Sequence, residues 1–407
     1  MVKDRFTVNP FEGLALTSVD TKNLLDIAQT IVNANMERYE NFWSVEKEKV
    51  DREHWKLIKA KEQARIYLER QDKQGQSHAA LPPSQTKDLA SDLPSLLCVG
   101  TTTGTLDDVM FGVVNPTLEI MRIKASYVDD LSGAAVLSTI VEPTEDDPFR
   151  SVAVKWMELD IPLQSTGLVK NRDYVYVEAT GLMTTFDDEV VGYHVLHSVN
   201  FPQTHALPNR VRANMSICGF FRQVRPNVVK IYVMGLMDPA GNDTVRRLVV
   251  PNMANAFFST LKYAHCGQMK KLAWFLEKRY AESKEIGAPN PERICVTCRK
   301  SVYRRLGDFR KSNGTCKLCF GFVCGTCKLQ RKLSFVTADS QLAQRKVTFC
   351  AVCMHEALKT SASEAAKAQI LSSARGSRQF PKRSVYSESS TVASESPIRT
   401  SYGFVIF

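Results

Sequence analysis

Eight cysteines fall into four Cys-x2-Cys pairs: Cys295 and Cys298, Cys316 and Cys319, Cys324 and Cys327, Cys350 and Cys353. The turn between two such cysteines lets both sulfurs face one ion, and thiolates are soft ligands suited to zinc. Four pairs supply two tetrahedral sites of four thiolates each. Sites closed in this way keep no open position for a substrate, so they hold structure rather than perform chemistry. The expected cofactor is therefore Zn2+, two ions. Each should contribute on the order of 10 kcal/mol of folding free energy to a segment too short to bury a large core. The remaining cysteines, Cys98, Cys218 and Cys266, lie in apolar contexts and read as small buried hydrophobes.

Charge follows the cysteines. The chain of 407 residues carries a net +10, and between Pro291 and Leu358 there are 13 Lys and Arg against 4 Asp and Glu, a local +9. Eight thiolates with two Zn2+ would contribute −4 there, leaving about +5. That excess is too small, and too poor in interleaved aromatic residues, to point to nucleic acid. The N-terminal "MVKDRFTVNPFEG" has no apolar run of the signal-peptide kind. No stretch of about 18 apolar residues suggests a membrane span. The expected location is the cytoplasm, where paired cysteines more often mean metal than disulfide.

The elements around this module separate by pattern. Ser18 to Trp43 repeats apolar residues at helical spacing (Leu24, Ala28, Ile31), with Ser18 and Asp20 as cap candidates. The basic segment "REHWKLIKAKEQARIYLER" and the polar, proline-containing "QDKQGQSHAALPPSQTKD" follow. From Ser95 to about Thr260, runs such as "SVAVKWMELDI", "DYVYVEATGLM", "EVVGYHVLHSV" and "VVKIYVMGLMD" recur at hairpin spacing and predict strands. "TLDDVMFGVVNPTLEIMRI" interrupts them with a helical pattern. A long amphipathic helix is predicted after Pro251, its apolar face running through Met253, Phe257, Leu261, Ala264, Leu272, Phe275 and Leu276. The expected organisation is 1–49, an N-terminal helix and lead-in; 50–282, the strand-rich domain; 283–291, a linker; 292–358, the cysteine module; and 359–407, a Ser-rich disordered tail.

The tight centre of the module, two knuckles separated by four residues, resembles the FYVE-type zinc finger, a cross-brace that commonly binds phosphatidylinositol 3-phosphate on endosomes. The resemblance implies that Cys295, Cys298, Cys324 and Cys327 hold one ion and that Cys316, Cys319, Cys350 and Cys353 hold the other. It also implies headgroup contact near Arg310, Lys311 and Lys317. The lipid-reading motifs themselves are altered. "RKSNGTCKLCF" replaces the family's paired histidines before the third cysteine, "PNPERIC" has no tryptophan, and "TFC" stands where R-V-C is usual.

The strand-rich region resembles a START domain, carried by "KNRDYVYVEATGLM", "HSVNFPQTHALPNRVRANMSICGFFRQV" and "VKIYVMGLMDPAGNDTVRRLVVPNM". The resemblance implies an α+β helix-grip fold, a curved antiparallel sheet around a long C-terminal helix with an apolar cavity between them. Trp156, Tyr174, Tyr176, Arg212, Phe220, Tyr232, Met253 and Phe257 are the residues expected to line it, from strand alternation and the helix face. Arg172 and Asp173 read as a strand-entry ion pair or cap. His194 and His197, three apart in a strand, face opposite sides and cannot share a metal. Nothing in the pattern suggests a nucleophile or acid–base pair, so no enzyme is expected. The expectation is a cytosolic lipid-binding adaptor, its finger assisting association with endosomal or other phosphoinositide membranes. The alternative is a protein-interaction scaffold, such as a small-GTPase effector, with no lipid in the START-like domain and no headgroup on the finger.

Overall fold

The structure, a computed structural model, describes residues 9–70, 93–128, 131–159, 170–241, 250–251, 254–286, 293–302, 314–337, 341–376, 398–399 and 405–406. The chain divides into two compact units, Met1–Cys266 and Gly267–Phe407.

The first unit is built on ten strands: β1 (Trp55–Lys61), β2 (Ala64–Glu69), β3 (Ser95–Thr103), β4 (Leu131–Val141), β5 (Ser151–Leu159), β6 (Asn171–Thr184), β7 (Val190–Ser198), β8 (Arg210–Arg212), β9 (Asn214–Arg225) and β10 (Val228–Asp238). They pair in the order β1-β2-β3-β10-β9-β7-β6-β5-β4, antiparallel throughout, with β8 added in parallel to β6. The basic segment after the first helix forms the β1–β2 hairpin. This is the large antiparallel sheet with helices that the START resemblance implies.

Helix α1 (Ser18–Ser44) starts at Thr17, whose hydroxyl accepts from the Asp20 N–H while the Asp20 carboxylate accepts from the Thr17 N–H. The cap is thus Thr17 rather than Ser18, because only Thr17 stands three residues before an acid that can reach back. Leu24, Ala28, Ile31, Val32, Met36, Tyr39 and Phe42 form one buried stripe. The stripe packs on one face of the sheet against Val154, Trp156, Val175, Val177, Cys218, Phe220 and Tyr232. Tyr39 stacks on Phe220 at 5.1 Å, and Phe42 meets Tyr232 at the same distance. Burial of each such side chain stabilises by about 1.5–3 kcal/mol. Helix α1 is therefore a wall of the sheet unit and not a separate lead-in.

The opposite face carries α2 (Leu106–Val113), α3 (Leu118–Val128) and the 3-10 helix Phe258–Lys262. Helix α2 begins with its own reciprocal cap between Thr105 and Asp108. The long helix predicted after Pro251 is broken by the 3-10 turn before α4 (Tyr263–Ile286), inside which the division between the units falls.

The second unit contains the short pair β11 (Gly314–Thr315) and β12 (Phe322–Val323), the hairpin β13 (Leu329–Val336) and β14 (Leu342–Phe349), α5 (Ala351–Lys359) and α6 (Ala362–Gly376). The nearly buried Lys271 of α4 donates from Nζ to the Leu358 and Thr360 carbonyls, satisfying acceptors left open at the end of α5. Helix α6 occupies the start of the segment expected to be a disordered tail. Beyond it, 377–397 lie outside the described residues, and Ile398–Arg399 pairs with Val405–Ile406.

Candidate functional site

Two features carry chemistry: a cavity in the first unit and the cysteine clusters in the second.

The cavity, about 100 Å³, lies on the face opposite α1. Met157, Leu159, Tyr176, Leu196, Met215, Ile217, Phe221, Val233 and Met237 line it from the strands. Met121, Lys124, Ala125 and Val128 line it from α3, and Ala256, Phe257, Ser259, Thr260 and Tyr263 from the segment around the 3-10 turn. Gly235 lets this segment approach. A Cβ there would lie 2.7 Å from Cζ of Phe257, so the ring rests directly on the strand.

One corner of the cavity wall is polar. The Lys155 ammonium is ion-paired with the Glu178 carboxylate and donates to Oδ1 and the carbonyl of Asn115, each at 2.7 Å. Lys124 lies 3.7 Å from Oε1 of Glu178 and 5.1 Å from the Tyr263 ring centroid. The His194 ring nitrogen Nε2 is 2.7 Å from the same Oε1. Burial alone would raise the Glu178 carboxyl, but Lys155, Lys124 and His194 together hold it well below the usual range. Burial lowers the Lys155 ammonium against the attraction of Glu178. Burial is also the leading reason that His194 lies below its ordinary 6.5, opposed by its hydrogen bond to Glu178.

The sign of the pH effect follows. His194 folded has a depressed pKa, so below about 6.5 the unfolded chain takes up the proton more readily and stability is lost as pH falls. His197, also lowered by burial, acts in the same direction. Glu178 adds its loss lower, as pH drops through and below the carboxylate range. The urea midpoint of the sheet unit should therefore decline between about pH 7 and pH 5, and His194→Gln should flatten that decline. An unchanged slope in the variant would show that His194 is not the titrating group.

The predicted lining residues separate by face. Tyr176 and Phe257 line the cavity. Trp156, Phe220 and Tyr232 point to the other face, beneath α1. Tyr174 shares the row of Tyr176 but is fully buried outside the lining. Arg212 pairs with Asp173 at 2.8 Å, and Met253 lies outside the described residues. Arg172 and Asp173 do not pair with each other, since neighbours in a strand point to opposite faces. Arg172 donates to the Pro239 carbonyl, while Asp173 accepts from Arg212 and from Nε1 of Trp156. His194 and His197 diverge as expected, His197 reaching the Ser216 hydroxyl.

In the second unit the eight cysteines form two groups of four: Cys295, Cys298, Cys324 and Cys327, and Cys316, Cys319, Cys350 and Cys353. The pairs are interleaved along the chain, as a cross-brace requires. Within each group the sulfurs all lie within 4.8 Å of one another, with Cys298–Cys324 at 3.8 Å and Cys319–Cys350 at 3.9 Å. A tetrahedral zinc with Zn–S near 2.3 Å places its sulfurs about 3.8 Å apart, so the residues fit the ion.

Two of the knuckles share a local device. The residue after the second cysteine is left-handed, Arg299 at φ 58° and Phe320 at φ 56°. Their N–H groups return to the Cys295 and Cys316 carbonyls, each at 2.9 Å. Sγ of Cys350 accepts from the Cys353 N–H and caps α5. Lys317 is exposed in the second knuckle, its N–H bonded to the Thr348 carbonyl, while Arg310 and Lys311 lie outside the described residues. On the adjoining hairpin, exposed Lys332 and Lys346 stand directly opposite each other.

No family model matches this chain, and no curated protein does. Among solved structures it is similar to human StAR-related lipid transfer protein 5, at 14% identity over 60% of this chain and 97% of that one, with a TM-score of 0.40. Human STARD10 is similar at 14% identity over 61% of this chain and 82% of that one, TM-score 0.35. A STAR-related lipid transfer protein from Xanthomonas axonopodis is similar at 14% identity over 52% and 98%, TM-score 0.33.

Proposed function

We propose that this protein is a non-enzymatic lipid-binding adaptor. Its sheet unit takes an apolar ligand behind the 3-10 turn, and its zinc-held finger associates with an anionic, endosomal-type membrane. The observation that carries this reading is the cavity itself, an apolar space between sheet and helices with one cluster of buried donors and acceptors in its wall. Small-molecule sites have this composition: apolar lining for area, a few fixed polar groups for orientation. A lipid would place its polar head by Asn115, Lys124, Glu178 and His194 and its chain against Leu196, Ile217 and Val233.

The cavity holds about 100 Å³, against roughly 300–1,000 Å³ for typical ligand sites. Uptake therefore requires the 258–262 segment to move with Phe257 and Tyr263, and a 3-10 stretch inside a helical run is a common place for such a hinge. On the finger, the interleaved cysteine pairing supports a FYVE-type cross-brace. Facing lysines across a strand pair repel each other unless an anion lies over them, which supports an acidic surface as the target of Lys332 and Lys346. Zn2+ serves here to hold the fold.

The same small volume favours a second reading, a scaffold in which side chains fill the cavity and the finger docks a protein such as a small GTPase.

Transfer of a fluorescent lipid from anionic vesicles to the full chain tests the proposal. Ala125→Phe, which fills the cavity, should abolish uptake and leave vesicle binding intact. Lys332→Glu with Lys346→Glu should do the reverse. Each lysine is worth about 1 kcal/mol at an anionic surface, so reversing both weakens binding by about ten-fold or more. Uptake by neither the natural chain nor any variant would support the scaffold.

A further inference from the structure

We propose a second ligand site, on the α1 face of the sheet: a cleft that binds a phosphate ester through Lys49, Arg52 and Arg65, with Trp43 and Tyr67 against the ester's apolar part. It is distinct from the cavity and goes beyond the function proposed above. The cleft encloses about 570 Å³ between the end of α1, the 48–52 loop, the β1–β2 hairpin, β3 and β10.

Three observations converge. The first is charge. Four cations line the cleft, Lys49, Arg52, Arg65 and Lys230, against one carboxylate, Glu48, which is committed to Lys230. The side chains of Lys49, Arg52 and Arg65 make no ion pair or hydrogen bond among the described residues. Unpaired arginines around one space suit a phosphate, which their planar forks meet two bonds at a time.

The second is the aromatic lining. Trp43, Tyr67 and Tyr232 border the same space. Trp43 is held from within the protein, with Arg222 at 3.6 Å and Lys230 at 4.4 Å from its ring.

The third is that the walls are built closely. Lys47 and Glu48 turn the chain through left-handed backbone, at φ 50° and 61°, and the Glu48 N–H returns to the Phe42 carbonyl at 2.9 Å. The hairpin turn sits on β3 so tightly that a Cβ at Gly100 would lie 2.6 Å from Cα of Ala64. On the other side of Phe42 and Tyr232 a neighbouring groove carries Glu37, Glu46 and Glu69 against Arg38 and His54, an acidic balance. An anion is thereby directed to the basic side.

A phosphate ester can come from a soluble compound or from a lipid headgroup, and calorimetry on the full chain separates the two. The soluble probe is adenosine triphosphate. The lipid probe is phosphatidylcholine vesicles with and without phosphatidic acid, used in the Lys332→Glu/Lys346→Glu background so that the finger does not report. Binding of the soluble probe, lost by about ten-fold or more in Arg52→Glu/Arg65→Glu, supports the site with a soluble ligand. Phosphatidic acid-dependent vesicle binding with the same loss supports it with a headgroup. Arg65→Gln, a milder change at an exposed position, should give a smaller loss of the same kind. Binding of neither probe, or binding indifferent to both variants, would overturn the proposal.

Discussion

Stripping zinc from the full-length chain is expected to unfold the segment from Arg293 to Lys359 while β3 to β10 stay folded. Each set of four thiolates gathers residues far apart in sequence. Cys295 reaches Cys327, and Cys316 reaches Cys353. Between them lie one two-residue strand pair and one hairpin, and the hairpin's few buried apolar side chains, Leu333, Phe335, Val336, Val347 and Phe349, cannot replace a metal term on the order of 10 kcal/mol per ion. Hydrogen exchange should show protection lost across β11 to β14 and α5 after chelation, with the sheet unit unchanged. Cys316→Ser should remove one ion and most of that protection. A finger that keeps its protected amides without metal would show that its fold rests on something other than the cysteines.

The second large effect is expected at Lys155. Its side chain is 1% exposed, and its partners are Glu178 and both acceptors of Asn115. Lys155→Met leaves a buried carboxylate short of its nearest cation and orphans two acceptors. Breaking a buried pair from one side typically costs about 3–5 kcal/mol. Replacing both charges, in Lys155→Met with Glu178→Leu, should recover most of that loss, because two desolvation penalties disappear with the pair. Urea denaturation of the two variants at neutral pH reads the difference. Equal destabilisation by single and double variants would mean that packing, and not charge compensation, sets the cost.

The two halves of the molecule were not equally legible in the sequence. Metal ligation is local: Cys-x2-Cys shows itself as text, and only the order of pairing needed the resemblance to a cross-brace. Strand positions were legible too, because turn residues bracket β5, β6, β7 and β10. Facing was not. Every residue of β5 is buried, and so are the first eleven of β6, so alternation carries no sign to tell one face from the other. Alternation alone therefore sends Trp156, Phe220 and Tyr232 to the cavity and leaves the stripe of α1 to a lead-in. A 27-residue helix with seven buried positions needs a partner, and that demand marks the second face of the sheet.

The Lys155–Glu178 pair does leave a trace in the sequence. Each is a charge flanked by apolar residues in mid-strand, and the two strands are neighbours in sequence; such charges are buried only when paired. The 3-10 break at 258–262 left no trace, since no glycine or proline marks it and Leu261 keeps the helical spacing.

Native mass spectrometry of the full-length protein purified from eukaryotic cells tests the central claim, a ligand-bearing sheet unit joined to a zinc-held finger, most directly. The predicted spectrum carries the mass of two zinc ions plus a discrete lipid that Ala125→Phe removes without displacing the metal. Two zinc ions and no lipid, even after incubation with mixed liposomes, would contradict the lipid-binding function and leave the scaffold.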